Sequence, residues 1–356
     1  MASPVWVGID TGVRESRLCV IDAESKPLLD ETLPTDTNSI VEALSNLGRR
    51  SVASIALEAT SCSTHLVRGL RKAGLPAAIY DPGKVRKYLS IRGNKTDIND
   101  ARGLAEIAKS ASPAVPEVHL KSDDVQRLRA KLLFRHRLVL QRVACEGMVR
   151  SLLRLHGGKL CYSRSARSYE RNVTAEMDRL QSNEGIDLRG DIQPVLELCV
   201  TQRRLIEKLE KELTAWAART DPCLRFLAIP GIGPICAVSF YTAIEDPSRF
   251  DRAADVGPYL GLVPQVQQSG GSLRRGRITR RGNTVTRAHL TVAATVLLSR
   301  SADDNVIRDW GLRLAERAGY ARARTAVARR LAVVMLAMWK NGRSFEPSFT
   351  RANSAL

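Results

Sequence analysis

The stretch 5-VWVGIDTGVRESRLCVID-22 places an acidic residue, Asp10, at the end of a short apolar run, before a glycine-containing turn and a second apolar run. Runs rich in Val, Ile and Leu and bounded by Gly, Asp or Ser are typical of β-strands. An acid that ends a strand beside such a turn is well placed to serve phosphate chemistry. The stretch therefore raises the question of which kind of phosphate Asp10 serves.

Outward from this stretch, the first 80 residues predict a mixed β-sheet with helices. Five strand-like runs are present, at residues 4–10, 16–21, 27–33, 52–58 and 76–80. Residues 39–48 and 63–74 carry apolar side chains at spacings of three and four and end on Gly, which is typical of helices with a left-handed cap. This order of elements predicts a ribonuclease-H-like fold, which is used by ATPases and by metal-dependent nucleases.

Three further acids are expected to join Asp10. Glu58 ends the fourth strand-like run, and Asp97 and Asp100 are three residues apart and so share one face of the helix that begins there. Carboxylates that converge repel one another unless a cation neutralises them, and oxygen ligands favour Mg²⁺ or Mn²⁺. Each acid alone is explained as a turn former, a cap or a helix N-terminal charge. The four in this order favour a metal site for phosphodiester chemistry.

The composition favours a nucleic acid over ATP as the partner. Lys and Arg number 55 against 37 Asp and Glu, giving a formal charge of +18 and a pI near 10.1, which attracts polyanions. No Walker-type phosphate loop is present, and the later glycines that an actin-like ATPase would need lie in Arg-rich helical sequence. Aromatic residues make up 5% of the chain, so backbone electrostatics, with a steep salt dependence, are expected to dominate binding.

The cysteine pattern and the hydropathy pattern predict the compartment. None of the seven cysteines forms a C-x-x-C pair, so neither a zinc site nor a disulfide framework is indicated. No leader-like segment and no apolar run of the ~18 residues needed to span a bilayer is present. We therefore expect a cytoplasmic, nucleoid-associated protein with no membrane partner.

The middle of the chain predicts a helical hairpin. Residues 122–156 carry an apolar stripe among many basic residues and begin with a cap and two acids, and residues 192–218 carry a heptad seam. Residues 157–190 are Arg- and Ser-rich and weakly periodic, so they are interpreted as a flexible or partner-ordered tip. The spacing favours a hairpin that is either an internal arm or a dimerising coiled coil, and two helices packed on a globular core are the alternative.

The last third of the chain carries two phosphate-binding candidates. The segment 229-IPGIGPICA-237 is typical of a helix-hairpin-helix turn, in which Gly231 and Gly233 would expose backbone N–H groups to a phosphate; a simple interhelical turn is the alternative. No acid lies between Asp255 and Asp303. The arginines of that acid-free window predicted to contact phosphate are Arg274, Arg275, Arg277, Arg280, Arg281 and Arg287.

A serine precedes the arginines. In 259-YLGLVPQVQQSGGSLRRGRITRRGN-283, the hydroxyl of Ser269 on a pliable loop could attack phosphorus while guanidinium groups stabilise the added charge. On the residues alone, a serine in a Gly-rich loop is more often a turn residue. The five histidines form no ligand spacing, and His289 is expected on a helix surface.

These motifs, in this order, resemble those of the insertion-sequence transposases with a RuvC-like DEDD domain, a family that includes Piv-type invertases and bridge-RNA-guided recombinases. The resemblance covers essentially the whole chain. It implies that Asp10, Glu58, Asp97 and Asp100 bind the metal and that Ser269 forms a transient 5′-phosphoserine link, with Ser272 as the alternative nucleophile. It also implies a composite site in a tetramer and a structured RNA that pairs with target and donor DNA.

The expected organisation has four parts. Residues 1–115 form a RuvC-like metal-binding domain, 116–220 a helical coiled-coil arm, 221–346 a mainly helical transposase domain with the helix-hairpin-helix-like motif and the serine loop, and 347–356 a polar tail. The expected function is a DNA transposase or site-specific recombinase that acts as a homo-oligomer. The alternatives are a RuvC-type junction nuclease in which Ser269 is structural, and a nucleic-acid-binding protein without catalysis.

Overall fold

The computed structural model describes residues 3–90, 96–269, 272–300 and 305–346. The chain divides into two compact units, Met1–Lys121 and Ser122–Leu356. Each hydrophobic cluster of the described residues draws its members from one unit, three in the first and two in the second. Within those ranges, no helix has both the length and the apolar character required to cross a membrane.

The first unit is built on a five-stranded mixed sheet. Its strands are β1 (Pro4–Thr11), β2 (Glu15–Ile21), β3 (Pro27–Pro34), β4 (Ser51–Glu58) and β5 (Ala77–Tyr80), in the spatial order β3-β2-β1-β4-β5. The first three strands pair antiparallel, whereas β4 runs parallel to β1 and to β5. This is the predicted ribonuclease-H-like arrangement, and that prediction is confirmed.

Four helices complete the described part of the first unit. They are α1 (Thr37–Ser45), α2 (Ser63–Lys72), α3 (Pro82–Leu89) and α4 (Asp97–Ser110). The hydroxyl of Thr96 caps α4 by accepting from the backbone N–H of Asn99. Helix α4 packs very closely on β1, because a Cβ at Gly8 would lie 2.0 Å from the carbonyl oxygen of Ala101. Only glycine at this position allows the helix to approach the strand so closely.

Across residues 122–269, 272–300 and 305–346, the second unit combines helices with a β-hairpin. The hairpin consists of β6 (Pro264–Ser269) and β7 (Ser272–Ile278). The helices are α5 (Asp123–Leu155), α6 (Ala166–Glu184), α7 (Arg189–Ala217), α8 (Asp221–Leu227), α9 (Pro234–Ile244), α10 (Val256–Tyr259), α11 (Thr284–Arg300), α12 (Val306–Ala318) and α13 (Tyr320–Asn341). Short 3₁₀ turns at Pro247–Arg249 and Ala253–Asp255 precede α10.

Helices α5 and α7 form the predicted pair of long helices, and each passes through two separate cores. Near its start, α5 contributes Leu128 and Leu132 to the large core of the second unit. Near its end it contributes Val149 and Leu153 to a smaller core shared with α6 and α7. The arm is therefore fastened at both ends by buried apolar side chains.

The predicted flexible tip is instead an ordered helix. Helix α6 begins at a capping box formed by Ser165 and Ser168, and it buries Tyr169, Val173 and Met177 in the smaller core. The prediction was wrong because the apolar residues of this segment are few. They nevertheless recur at spacings of three and four, which is enough to cover one helix face.

Candidate functional site

Asp10 and Glu58 lie at matching positions on neighbouring parallel strands. The register pairs Ile9 of β1 with Leu57 of β4, one residue before each acid. Adjacent strands are about 4.8 Å apart, and residues at the same register position point to the same face of the sheet. Both acids are half-buried. The two carboxylates therefore share one face at the same end of the sheet.

Helix α4 brings the other two acids toward this end. Ala101 lies over Gly8, and the ammonium group of Lys109 lies 5.7 Å from the ring centroid of Trp6. The helix therefore runs antiparallel to β1, with its first turn directed toward the end that carries Asp10. Asp100 in that turn is half-buried, and the side chain of Asp97 lies outside the described part of the structure.

The donor set suits a hard divalent cation in chemical type. All four candidates are carboxylates, which Mg²⁺ and Mn²⁺ prefer over nitrogen and sulfur ligands. Among the described side chains, which leave out that of Asp97, no group of three or more His, Cys, Asp or Glu forms a set that could hold a metal ion. The described geometry thus comprises an in-register pair and a third acid on the adjacent helix turn.

A network of hydroxyl groups beside Glu58 was missed in the sequence. Thr11 Oγ1 lies 2.8 Å from Thr60 Oγ1, and Ser63 Oγ accepts from the backbone N–H of Thr60 at 2.9 Å and donates to the carbonyl oxygen of Glu58. Ser63 is fully buried. The network ties the end of β1 to the turn after β4. The sequence signal for this network was the group of hydroxyl residues shortly after Glu58, which includes Thr60 and Ser63.

Ser269 lies on the β-hairpin of the second unit. It ends β6 and pairs with Ser272 at the start of β7, while Pro264 pairs with Ile278 at the other end. Ser269 and Ser272 are both exposed, and Gly270 and Gly271 lie outside the described residues. The pliable loop inferred from the sequence is therefore wrong for Ser269, which belongs to a strand. Two residues of the Gly-Gly type between strand-like runs are a known hairpin signal.

The hairpin carries Ser269 away from the helices. Ile278 lies six residues after Ser272 along β7, which at ~3.3 Å per residue is about 20 Å. All six residues of β6 are exposed. The hairpin therefore presents its serine pair on an extended, solvent-accessible support.

The candidate arginines divide into exposed and buried positions. Arg274, Arg277, Arg280 and Arg281 are exposed, and the side chain of Arg275 lies outside the described residues. Arg287 is buried, and its guanidinium donates to the carbonyl oxygens of Leu260 at 2.9 Å and Arg281 at 3.0 Å. Burial lowers the pKa of Arg287 below its usual range, and nearby Arg280 adds to the effect.

Two glycines allow close backbone packing between residues 259–261 and residues 280–282, the segments that Arg287 contacts. Gly261 and Gly282 have φ of +68° and +79°, and a Cβ on either would lie 2.1 Å from a carbonyl oxygen of the opposing strand of chain. Arg280 itself has φ +55°, which is uncommon for a residue with a side chain. The turn that presents Arg280 and Arg281 is thus held by backbone packing and by the guanidinium of Arg287.

His289, on the same helix as Arg287, is also buried. The expectation of a helix-surface histidine was wrong because α11 packs against both α9 and α13. A helix contacted on two sides has little solvent-facing surface at its centre.

The helix-hairpin-helix-like segment joins α8 to α9. Gly231 has φ +88°, and a Cβ there would lie 2.8 Å from the carbonyl oxygen of Ala293 on α11, so packing accounts for this glycine. Gly233 is the extended N-cap of α9, with open space around it. Of the two glycines proposed to grip phosphate, Gly233 is the one with room for a ligand.

Two protein-family models match this chain. A model described as the transposase IS116/IS110/IS902 family matches residues 223–308. A second model, described as a transposase of the DEDD IS110 type, matches residues 7–157. The first match contains the helix-hairpin-helix-like segment and the serine hairpin, and the second contains all four acids.

Curated relatives match over nearly the full length. A transposase for insertion sequence element IS1111A of Coxiella burnetii is 30% identical over 338 residues, covering 93% of this chain and 88% of the relative. A putative transposase, y4pF/y4sB, of Sinorhizobium fredii is 27% identical over 99% of this chain and 88% of its own length. A probable family 20 transposase of Pseudomonas aeruginosa is 28% identical over 82% of this chain and 86% of its own length.

Among solved structures, Thermus thermophilus RuvC in complex with a Holliday junction substrate is 17% identical and covers 32% of this chain and 99% of its own, with a TM-score of 0.26. A second Thermus thermophilus RuvC structure is 18% identical, covers the same shares of the two chains and has the same TM-score. At this score the alignments add nothing to the strand order already described.

Proposed function

Because the chain belongs to the IS116/IS110/IS902 family of transposases, we propose that it cuts and rejoins DNA strands using the acids of its first unit and a serine of its second. The observation that carries the proposal is the strand register that brings Asp10 beside Glu58, with the first turn of α4 directed toward them. A fold hosts many activities, so these residues and not the fold support this function.

The acids are proposed to hold Mg²⁺ or Mn²⁺. Asp10, Glu58, Asp97 and Asp100 would be the ligands, and a bound ion would supply Lewis acidity toward the phosphodiester oxygens. The protein's own part is to hold carboxylates of like charge close together on rigid elements. The glycine contact under α4 and the hydroxyl network at Glu58 support that arrangement.

Ser269 is proposed as the nucleophile. Its oxygen would form a bond to phosphorus while the bond from phosphorus to the 3′ oxygen breaks, and the serine proton would pass to that leaving oxygen. The product is a 5′-phosphoserine link and a free 3′-hydroxyl, so charge and protons balance. The exposed guanidinium group of Arg274, two residues after Ser272 on the same hairpin, would stabilise the pentacoordinate phosphorus.

The proposed partners are DNA, a structured RNA and further copies of the chain. The net charge of +18 suits polyanions. The arm exposes large apolar side chains, including Phe134 at 59% and Met148 at 58%, which supports a dimer or tetramer through the coiled-coil arm. An exposed serine on a projecting hairpin is suited to a composite site shared between subunits.

The test is a recombination assay on DNA carrying the element's ends and a target, with reaction products separated under denaturing conditions. Asp10→Asn and Glu58→Gln are expected to abolish strand cleavage, since each removes a proposed ligand charge from the pair. The matched control is Glu24→Gln, which neutralises an exposed acid in the turn after β2. Unimpaired recombination in Asp10→Asn would reject the proposal.

A second comparison assigns the nucleophile. Ser269→Ala is expected to eliminate a denaturation-resistant protein–DNA adduct, whereas Ser272→Ala, its exposed register partner across the hairpin, should retain it. The reverse result moves the role to Ser272. Metal-dependent cleavage with no adduct from either serine would instead support the junction-nuclease alternative.

A further inference from the structure

We infer that a cleft in the second unit binds a single nucleic-acid strand, with its phosphates on the arginines of α13 and a base against Trp310. The cleft has a volume of about 1810 Å³, and its walls come from the base of the β-hairpin, α11, α12 and α13. It lies at the opposite end of the hairpin from Ser269. The inference rests on the proposed function only for where the strand comes from, which is the DNA or the RNA of the proposed reaction.

The charge of the cleft is strongly one-sided. Eight of its lining residues are arginine, and none of the described residues lining it is acidic. At the rim, the guanidinium of Arg252 pairs with Asp255 at 3.0 Å. Guanidinium groups gathered in this way repel one another unless a polyanion neutralises them, and phosphodiester backbones are the polyanions that arginine clusters recognise.

Helix α13 supplies four of these arginines on the face toward the cleft: Arg322, Arg324, Arg329 and Arg330. Arg322 and Arg329 are exposed and seven residues apart, which is about 10 Å along a helix. Neighbouring phosphates of an extended single strand lie farther apart than the ~3.4 Å rise per strand of duplex DNA, so that length spans about two of them. The spacing of the two side chains therefore suits consecutive contacts along one backbone.

The arginines rest on a formed surface. Gly257 lies directly below Arg329, where a Cβ would come within 2.8 Å of the guanidinium Nε. The Nε of Arg324 is buried, with no hydrogen-bond partner among the described residues. A buried donor without a partner carries a desolvation cost, which a rotation of this side chain toward a bound phosphate would relieve.

The apolar part of the lining favours a single strand over a duplex. Trp310 is 38% exposed and lies in the wall together with Ile278 and Val333. Duplex DNA hides the faces of its bases and offers no partner to such a wall, whereas unpaired bases stack on aromatic side chains. The volume also exceeds the ~300–1,000 Å³ of pockets for small ligands. Arginine and apolar surface in one cleft match a strand that exposes both phosphate and base.

The experiment measures binding by fluorescence anisotropy with the full chain. The probes are a labelled DNA strand of about 15 nucleotides, near the upper end of the ~4–16-nucleotide sites of single-strand binders, the RNA of the same sequence, and the corresponding DNA duplex. The test variants are Arg322→Gln with Arg329→Gln, and Trp310→Leu. The control is Arg313→Gln with Arg317→Gln, which removes the same charge from positions of α12 outside the cleft.

We expect the α13 double variant to lose about tenfold or more in affinity for the single strand. Its slope of log affinity against log salt should fall by about 1.4, which is ~0.7 for each phosphate that is no longer neutralised. Trp310→Leu should weaken binding of the single strand by about fivefold or more and leave binding of the duplex unchanged. A stronger effect with DNA or with RNA identifies the source of the strand, and either one supports the inference.

The inference would be overturned if the test and control pairs lost affinity for the single strand equally. It would also be overturned if Trp310→Leu weakened binding of the duplex as much as binding of the single strand. Matching circular-dichroism melts of all variants exclude misfolding. Asp10→Asn separates this inference from the proposed function. If it stops recombination while the α13 variant binds normally, the cleft inference fails alone; if recombination survives it while the α13 variant loses the strand, the proposed function fails alone.

Discussion

At the scale of single residues, the absence of a side chain at Gly8 determines how closely α4 lies on β1. The helix backbone occupies the space that a Cβ would need, and the same helix carries Asp97 and Asp100 in its first turn. A larger residue would push the helix away from the strand that bears Asp10. Gly8 is therefore a positioning residue for the candidate acids as well as a packing residue.

Replacing Gly8 by Ala should destabilise the first unit by about 3 kcal/mol or more, since the opposing atoms are backbone and cannot rotate away. Urea unfolding followed by circular dichroism measures the change. The control is Gly147→Ala in α5, where a Cβ meets no atom within 4 Å and helix propensity should add about 0.5–1 kcal/mol. Equal unfolding midpoints for the two variants would contradict this account.

The buried His289 should make the second unit less stable at mildly acidic pH. Burial, with smaller effects of Arg135 and His136, lowers its pKa to about 4, and neither ring nitrogen has a hydrogen-bond partner among the described residues. The unfolded chain binds a proton below pH ~6.5 and the folded chain does not. The free energy of unfolding therefore has its full value above pH ~6.5 and falls by up to about 3 kcal/mol as the pH drops toward 4.

Urea unfolding measured between about pH 7 and pH 4 tests this loss of stability. The range covers the pKa of His289 in the folded chain, about 4, and in the unfolded chain, ~6.5. His289→Leu should flatten that part of the pH profile, because it removes the titrating group. His65→Gln, at an exposed position of α2, should leave the profile unchanged. Identical profiles for His289→Leu and the unaltered chain would refute the assignment.

At the scale of elements, hydrophobic periodicity accounts for what could be predicted. Strands β1, β2, β4 and β5 and the long helices α5 and α7 bury apolar side chains, and β3 alternates half-buried with exposed residues along most of its length. Their predicted positions agree with the structure within a few residues. The β6–β7 hairpin was missed because β6 has no buried residue, so it has no alternation to detect. Helix α6 was missed because its apolar face is narrow and lies among charged residues.

The arm contains a buried ion pair that should be strongly coupled. Arg203 on α7 donates to Glu146 on α5 at 2.7 Å, stacks 4.5 Å from the ring centroid of Tyr169, and donates to the carbonyl oxygen of Ser163 at 3.1 Å. Glu146→Leu leaves that guanidinium buried without its carboxylate, and we expect a loss of about 3–5 kcal/mol.

A double-mutant cycle in urea measures the coupling. The variant with both Glu146→Leu and Arg203→Leu should recover much of the loss, because the buried guanidinium of Arg203 is then removed together with its carboxylate. Additive losses from the two single changes would mean that the pair is not coupled. Glu197→Leu, an exposed position on α7, is the control for introducing leucine into the arm.

At the scale of the whole molecule, the order of the acids along the chain indicated one site, but only the structure gives their relation. The sheet register and the direction of α4 could not be read from spacing, because both depend on contacts between segments distant in sequence. Likewise, the arginines of α13 follow the acid-free window by many residues, and only folding brings them to the cleft beside the hairpin. Contacts between segments distant in sequence were therefore the part of the structure that could not be predicted.

The first unit should fold alone. Three of the described hydrophobic clusters lie entirely within residues 1–121, so a fragment of that length should unfold cooperatively in urea. A shorter fragment ending at residue 96 lacks α4 and would expose the apolar surface that Leu104 and Ile107 cover. It should therefore show no cooperative transition. A non-cooperative transition in the 1–121 fragment would show that the unit needs the remainder of the chain.

Because α5 packs into two separate cores, the length of the arm determines how the helix face at the far core is rotated relative to the near one. About 25 Å of helix separates Leu132 in one core from Val149 in the other. One inserted residue would turn the far face by ~100°, whereas insertions near whole numbers of turns, about 7, 11 or 18 residues, would keep both faces in phase. Natural variation in arm length is thus expected in such steps, with α5 and α7 lengthened together.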